Sequence, residues 1–124
     1  MNFYKDCFGG KLEFMTVGES PMATDMPEGS HDLIMNSTLT SGQIYFSGSD
    51  MMRDRAVIGD NVGMALECAT EKELNTLFTK LSEGGKVFMA PEEQSWGGVF
   101  GMLTDKFGVE WMLNFQKKTA PKKK

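Results

Sequence analysis

Three side chains able to do chemistry occupy alternate positions of one short stretch: Glu110, Met112 and Asn114, interleaved with Val109, Trp111, Leu113 and Phe115. A period of two is the signature of a strand whose faces meet different environments. The apolar set wants a core, while a carboxylate, a thioether and an amide side by side suit the wall of a cleft. A second stretch, Asn61 to Ala69, alternates likewise, with Val62, Met64, Leu66 and Cys68 on one face and Gly63, Ala65 and Glu67 on the other. The only histidine, His31, lies at a loop-strand edge beside Asp32. No Ser or Cys is recognisably paired with it, so it reads as a solvated loop histidine before it reads as a general base. Cys7 and Cys68 have no CxxC spacing and read as reduced, buried thiols of a cytosolic protein rather than a bridge.

Several elements must position these residues. Gly98 to Thr104 and Val109 to Phe115 form a β-hairpin around Asp105-Lys106-Phe107-Gly108, whose first Asp and last Gly suit a tight turn. Thr70 caps a helix, with Glu73 three residues on as a capping box and Leu74, Leu77, Phe78 and Leu81 at helical spacing. That helix stops at Gly84-Gly85, and the strand Lys86 to Ala90 and a Pro91 to Ser95 loop lead into the hairpin. At the other end, the i,i+4 pairs Phe3/Cys7 and Tyr4/Phe8 before Gly9-Gly10 predict that the chain opens inside a helix. A strand from Lys11 to Val17, a loop from Gly18 to Ser30 long enough for a mobile flap, and strands Asp32 to Thr40 and Gln43 to Ser47 around Ser41-Gly42 follow. Asp50 to Asp60 is a charged connector.

The two halves repeat. Helix, Gly-Gly and a Lys-led strand at residues 9 to 12 recur at 84 to 87. The second half has a strand before its helix and the first does not, so one strand is missing. Either the chain begins late relative to its relatives or another element, from the tail or a second subunit, fills that slot. An edge left bare would invite pairing with another chain.

A length of 124 residues predicts one domain with its own core. Module one spans 1–50, the connector 51–60, module two 61–116 and a basic tail 117–124. The net charge of −4 conceals an acidic body: without the tail's five lysines there are 8 Lys+Arg against 17 Asp+Glu, a net of −9. Such a body repels phosphate backbones, so no nucleic-acid partner is expected. No apolar run reaches the length of a membrane span and the N-terminus lacks a signal pattern, which predicts a soluble, cytoplasmic protein with no membrane partner. The 11 Met and 9 Phe residues fit an irregular core or a pliable apolar pocket.

The doubled β-α-β-β-β pattern, ending in Trp96-Gly97, Phe100-Gly101, Asp105, Phe107-Gly108 and Trp111, resembles the vicinal oxygen chelate superfamily, also called the glyoxalase/bleomycin-resistance/dioxygenase fold. Phe3-Tyr4-Lys5 with Phe8-Gly9-Gly10, Asp32 with Ile34-Met35, and Gly84-Gly85-Lys86-Val87 narrow the resemblance to its PhnB-like subgroup. It implies an α+β fold of two βαβββ modules, wrapped as a curved open sheet or half-barrel around a cleft, and a homodimer. Metal-dependent members hold a cation with His, Glu or Gln from four strands. Here the resemblance places Met112 where the last strand's carboxylate belongs, Gly63 near the second module's His, and Asn36 after Ile34-Met35 where His often stands; the remaining ligand would lie on the missing strand. Thioether and glycine offer a hard cation little. Glu67 and Glu110 remain, but two carboxylates without a third ligand make a poor chelate, and strand-surface acids need no metal.

The expectation is therefore a small-molecule-binding, sequestering module with no metal and no cofactor. Its candidate cleft residues are Asn36, Tyr45, Glu67, Trp96, Phe100, Glu110, Met112 and Asn114, and its acidity favours cationic or polar-aromatic ligands. Trp96 and Phe100 serve equally well as pocket lining or as packing between modules. The alternative is a metal-dependent lyase, isomerase or dioxygenase, in which a cation would polarise vicinal oxygens of the substrate. Some relatives carry a ubiquinone-pathway methyltransferase label; the glycines here make helix stops and turns, with no G-x-G-x-x-G between strand and helix.

Overall fold

The computed structural model describes residues 1–21, 23–26, 28–50 and 57–116. The chain divides into two compact units, Met1–Val57 and Ile58–Lys124. Part of the Asp50 to Asp60 connector and the basic tail lie outside the described residues.

Unit two begins with β4 (Gly63–Glu67), continues through α2 (Glu71–Ser82), and ends in β5 (Lys86–Glu93), β6 (Gly98–Thr104) and β7 (Glu110–Gln116). The sheet order is β4-β7-β6-β5, with β4 parallel to β7 and the rest antiparallel. α2 forms where its capping box predicts: Thr70 Oγ1 accepts from the Glu73 N–H (3.0 Å) and Glu73 Oε1 accepts from the Ala69 N–H (3.2 Å). Its apolar stripe, Leu74, Leu77, Phe78 and Leu81, is buried, and so are Val99, Leu103, Trp111 and Leu113 of the sheet. The hairpin turn is held by one side chain. Asp105 Oδ1 accepts from the N–H groups of Phe107 (2.8 Å) and Val109 (3.0 Å), and Oδ2 accepts from Trp111 Nε1 (2.9 Å).

Unit one holds α1 (Asn2–Phe8), β1 (Lys11–Thr16), β2 (Ile34–Ser41) and β3 (Ile44–Gly48), in the antiparallel order β1-β2-β3. Tyr4 and Phe8 of α1 each meet the Phe46 ring edge-on at 5.8 Å, and Ser41 Oγ donates to the Phe8 carbonyl (2.7 Å), tying the helix end to the sheet. The repeat is visible at its two Gly-Gly joins: a Cβ on Gly10 would strike the Thr40 carbonyl, and one on Gly85 the Thr104 carbonyl. Only glycine lets the chain pass that close to a neighbouring strand. Three strands here against four in unit two bears out the missing strand, because among the described residues nothing lies beside β3 where β4 lies beside β7.

Some boundaries differ from the sequence reading. β5 runs through Pro91 to Glu93 instead of stopping at Ala90; it is an edge strand with two register shifts, where a missing N–H costs the ladder nothing. β2 starts at Ile34 and β3 at Ile44, so the turn residues are Gly42-Gln43, with Gly42 at φ 60°. β4 is shorter than Asn61 to Ala69, and only part of its apolar face is covered: Cys68 is buried, whereas Val62 is 73% exposed. The segment after β1 contains two single-turn 3-10 helices, Ala23–Asp25 and Glu28–Ser30. His31 belongs to that loop's framework, its Nε2–H donating to the Ala23 carbonyl at 2.9 Å. No described helix is long and apolar enough to cross a membrane. Cys7 and Cys68 are both buried and unbridged.

Candidate functional site

The face of the unit-two sheet turned away from α2 is built by strand register, which sets residues in three transverse rows. Glu67, Asn114, Phe100 and Glu92 form the first, and Ala65, Met112, Met102 and Met89 the second. Gly63, Glu110, Thr104 and Lys86 form the third. One edge is thus polar and aromatic, the middle is a band of thioethers, and the far edge is mixed. Trp96, half exposed in the β5–β6 turn, lays its ring where a Cβ of Gly98 would stand. Gly98 shares the face of Phe100 by alternation, so Trp96 joins the first row's aromatic end.

The closest polar contact on this face joins β7 to β4. Asn114 Nδ2 donates to both carboxylate oxygens of Glu67, at 3.0 and 2.9 Å, while Asn114 Oδ1 is buried without a partner among the described residues. Below this pair the thiol of Cys68 is buried; desolvation, reinforced by the Glu73 and Glu67 carboxylates, pushes it up to about 11 from 9.0. It is thus a neutral core group at neutral pH and no nucleophile.

The donor set does not fit a divalent metal. The Met112 methyl fills the space over Gly63, 3.2 Å from where a Cβ would lie. Glu67 has both oxygens engaged by Asn114, and Glu110 stands four residues along β7 from Asn114, roughly 13 Å at the rise of a strand. Two carboxylates so placed cannot share an ion. Among the described residues no three His, Cys, Asp or Glu side chains come together as a metal site.

Of the eight predicted cleft residues, Glu67, Trp96, Phe100, Glu110, Met112 and Asn114 share this face. Asn36 and Tyr45 belong to unit one's sheet, on the face opposite buried Leu39; Asn36 pairs with Met15, and Tyr45, 70% exposed, pairs with Thr40. The sequence reading missed Met102, Met89 and Glu92. Counting back from the Asp105–Gly108 turn sets Met102 opposite Met112, so that residue was recoverable; the other two depend on irregularities in β5. A cavity of about 360 Å³ lies elsewhere, in unit one on the helix side of the sheet, with Leu12, Phe14, Ser37 and Gly48 in its wall. Its one carboxylate, Asp50, accepts from the Ile34 N–H at 2.8 Å, and none of the eight residues lines it.

Two open sheets, each with one helix, and a glycine-methionine pair where a chelating set could stand define a class. The chain belongs to the Glyoxalase/Bleomycin resistance protein/Dioxygenase superfamily, whose family model matches residues 1–113. It is 29% identical to Protein YjdN of Escherichia coli K12, over 93% of this chain and 84% of that protein. Among solved structures it is similar to protein PA1353 from Pseudomonas aeruginosa, with 33% identity, a TM-score of 0.79, and coverage of 94% of this chain and 86% of that one. A PhnB protein from Bacillus cereus, described as a putative 3-demethylubiquinone-9 3-methyltransferase, superposes with a TM-score of 0.67 at 25% identity, over 93% of this chain and 87% of that one. The PhnB-like resemblance thus extends over nearly the whole chain. The junction of β4 and α2, Cys68-Ala69-Thr70, contains no glycine, so it lacks the loop with which a strand and helix hold a dinucleotide-like cofactor.

Proposed function

We propose that this protein binds and sequesters a small molecule on the open face of the unit-two sheet, without a resident metal. The observation that carries the reading is the middle row: Met112, Met102 and Met89 offer a pliable apolar surface, with Met112 standing where the resemblance expects a chelating carboxylate. Aromatic Phe100 and Trp96 flank it, and the acidic body favours cationic or polar-aromatic ligands. The two buried free thiols suit a reducing compartment, and we place the protein in the cytoplasm.

We also propose that it works as a homodimer. Among the described residues no strand pairs with the outer edge of β3, and β3 carries no charge, proline or register shift that would discourage pairing with a second chain. Sedimentation velocity across a concentration series tests this: a dimer is expected, and a monomer at all concentrations would refute it. For ligand binding, a thermal-shift screen of small metabolites and drugs on metal-analysed protein is the test. Stabilisation by organic ligands without added metal is the expected result. A response only to Zn, Mn, Fe or Ni salts would instead favour a lyase, isomerase or dioxygenase.

A further inference from the structure

Unit two shows what unit one lacks around its helix. The stripe Leu77, Phe78 and Leu81 of α2 recurs at the same spacing in α1 as Phe3, Tyr4 and Cys7, and both helices lead into a Gly-Gly join and a Lys-led strand. α1 has 7 residues and α2 has 12, so α1 has no counterpart of Leu74, which is fully buried in the first turn of α2. α1 also starts without the cap that opens α2: Met1 supplies no side-chain hydrogen bond, whereas Thr70 and Glu73 satisfy two N–H groups there. The sheets differ at the matching place. Leu39 stands between Leu12 and Phe46 as Leu103 stands between Val87 and Trp111, which sets the Ser37/Gly48 pair in the position of the Gly101/Leu113 pair. Leu113 is fully buried, whereas Gly48 has no side chain and borders the cavity of about 360 Å³, together with Ser37, Leu12, Phe14 and the start of α1 at Met1 and Asn2. Among the described residues no strand pairs beyond β3 where β4 pairs with β7, so the cavity and the bare edge adjoin at Gly48.

We propose that this cavity and the outer edge of β3 are one seat, and that it takes an amphipathic strand–turn–helix segment with the pattern of residues 61–74: a strand parallel to β3, an N-cap, and a leucine three residues before Phe3 in the helix register. Each part answers a separate deficit of unit one. The strand pairs with the open N–H and C=O groups of β3, the cap serves the first N–H groups of α1, and the leucine fills the cavity with apolar volume. A β3 strand from a second copy covers the edge alone and leaves the cavity empty of side chains, so the segment displaces pairing of two copies at this edge. Small-molecule binding by unit two is independent of it.

The test grafts a second copy of residues 61–74 directly ahead of Met1 in the full chain, beside a control graft with Leu74→Asp in the added copy, and follows both by thermal unfolding and sedimentation velocity. The leucine graft is expected to raise the melting temperature by at least about 5 °C over the control graft and over the ungrafted chain, and to abolish self-association through β3. A Cβ on Gly48 would lie 3.6 Å from the Met1 sulfur and 3.8 Å from Ser37 Oγ, ordinary contact distances, so the side chain of Gly48→Leu enters the cavity and should remove at least about half of the rise. Tyr45→Ala, on the opposite face of β3, should leave the rise intact. Equal melting temperatures for the two grafts, a leucine graft that does not fold, a rise untouched by Gly48→Leu, or an equal effect of Tyr45→Ala overturns the seat. A dimer of unchanged strength in the leucine graft assigns the edge to a second copy and overturns it too.

Discussion

Asp105 gathers more of the fold's specificity into one side chain than any other described residue of the hairpin. It is 3% exposed and receives two backbone N–H groups and the Trp111 indole. Asp105→Ala strands those donors in a buried turn and should destabilise the chain by roughly 3 kcal/mol. Trp111→Ala, at a residue 4% exposed, should cost roughly 3–5 kcal/mol through lost burial and a cavity, whereas Trp111→Phe should cost less because the ring volume remains. Denaturant unfolding measures all three; a loss under about 1 kcal/mol for Trp111→Ala would mean its side chain is not in the core. Cys68 supplies a pH dependence of known sign. Its thiol is raised in the folded state to about 11, so above about pH 9 the unfolded chain releases this proton while the folded chain keeps it. The unfolded state then binds fewer protons, and stability falls as pH climbs from about 9 towards 11, by about 1–2 kcal/mol. Cys68→Ala should remove that part of the alkaline loss, seen as a flatter curve of stability against pH.

Elements with local punctuation were legible in the sequence, and those shaped by distant pairing were not. The β6–β7 hairpin follows from Asp105 and Gly108 flanking two alternating runs, and α2 from Thr70, Glu73 and its apolar stripe. Proline at 91 reads as a stop, yet β5 continues past it because an edge strand can leave one side of its ladder empty. The alternation that placed Glu110, Met112 and Asn114 on one face is a local property. The contact of Asn114 with Glu67 is not, since it arises from parallel pairing of strands 47 residues apart. Asn36 and Tyr45 belong to the other unit's sheet, which spacing alone could not distinguish from the same wall. Packing of α2 on the sheet gives a sharp element-level prediction. A Cβ on Gly101 would lie 2.7 Å from a Phe78 ring carbon and 3.1 Å from the Pro91 nitrogen. Gly101→Ala should therefore displace the helix and cost about 1–3 kcal/mol, measurable by thermal unfolding. An unchanged melting temperature would mean that α2 does not press on β6 there.

For the molecule as a whole, the internal repeat and the glycine joins belong to the family architecture, whose model matches residues 1–113. The superfamily fold accommodates both metal enzymes and binding modules, so fold by itself does not decide between them. What supports the metal-free reading proposed above is the donor chemistry of the unit-two face: Met112 over Gly63, Glu67 engaged by Asn114, and Glu110 at the opposite edge of the face. Restoring one donor with Met112→Glu should not by itself create a tight site, because a single added ligand leaves coordination incomplete. The most direct measurement is the metal content of the purified full chain after dialysis, by inductively coupled plasma mass spectrometry. The expected result is less than about 0.1 equivalent of Zn, Fe, Mn or Ni per chain, and retention of about one equivalent, with loss of thermal stability on chelation, would contradict it.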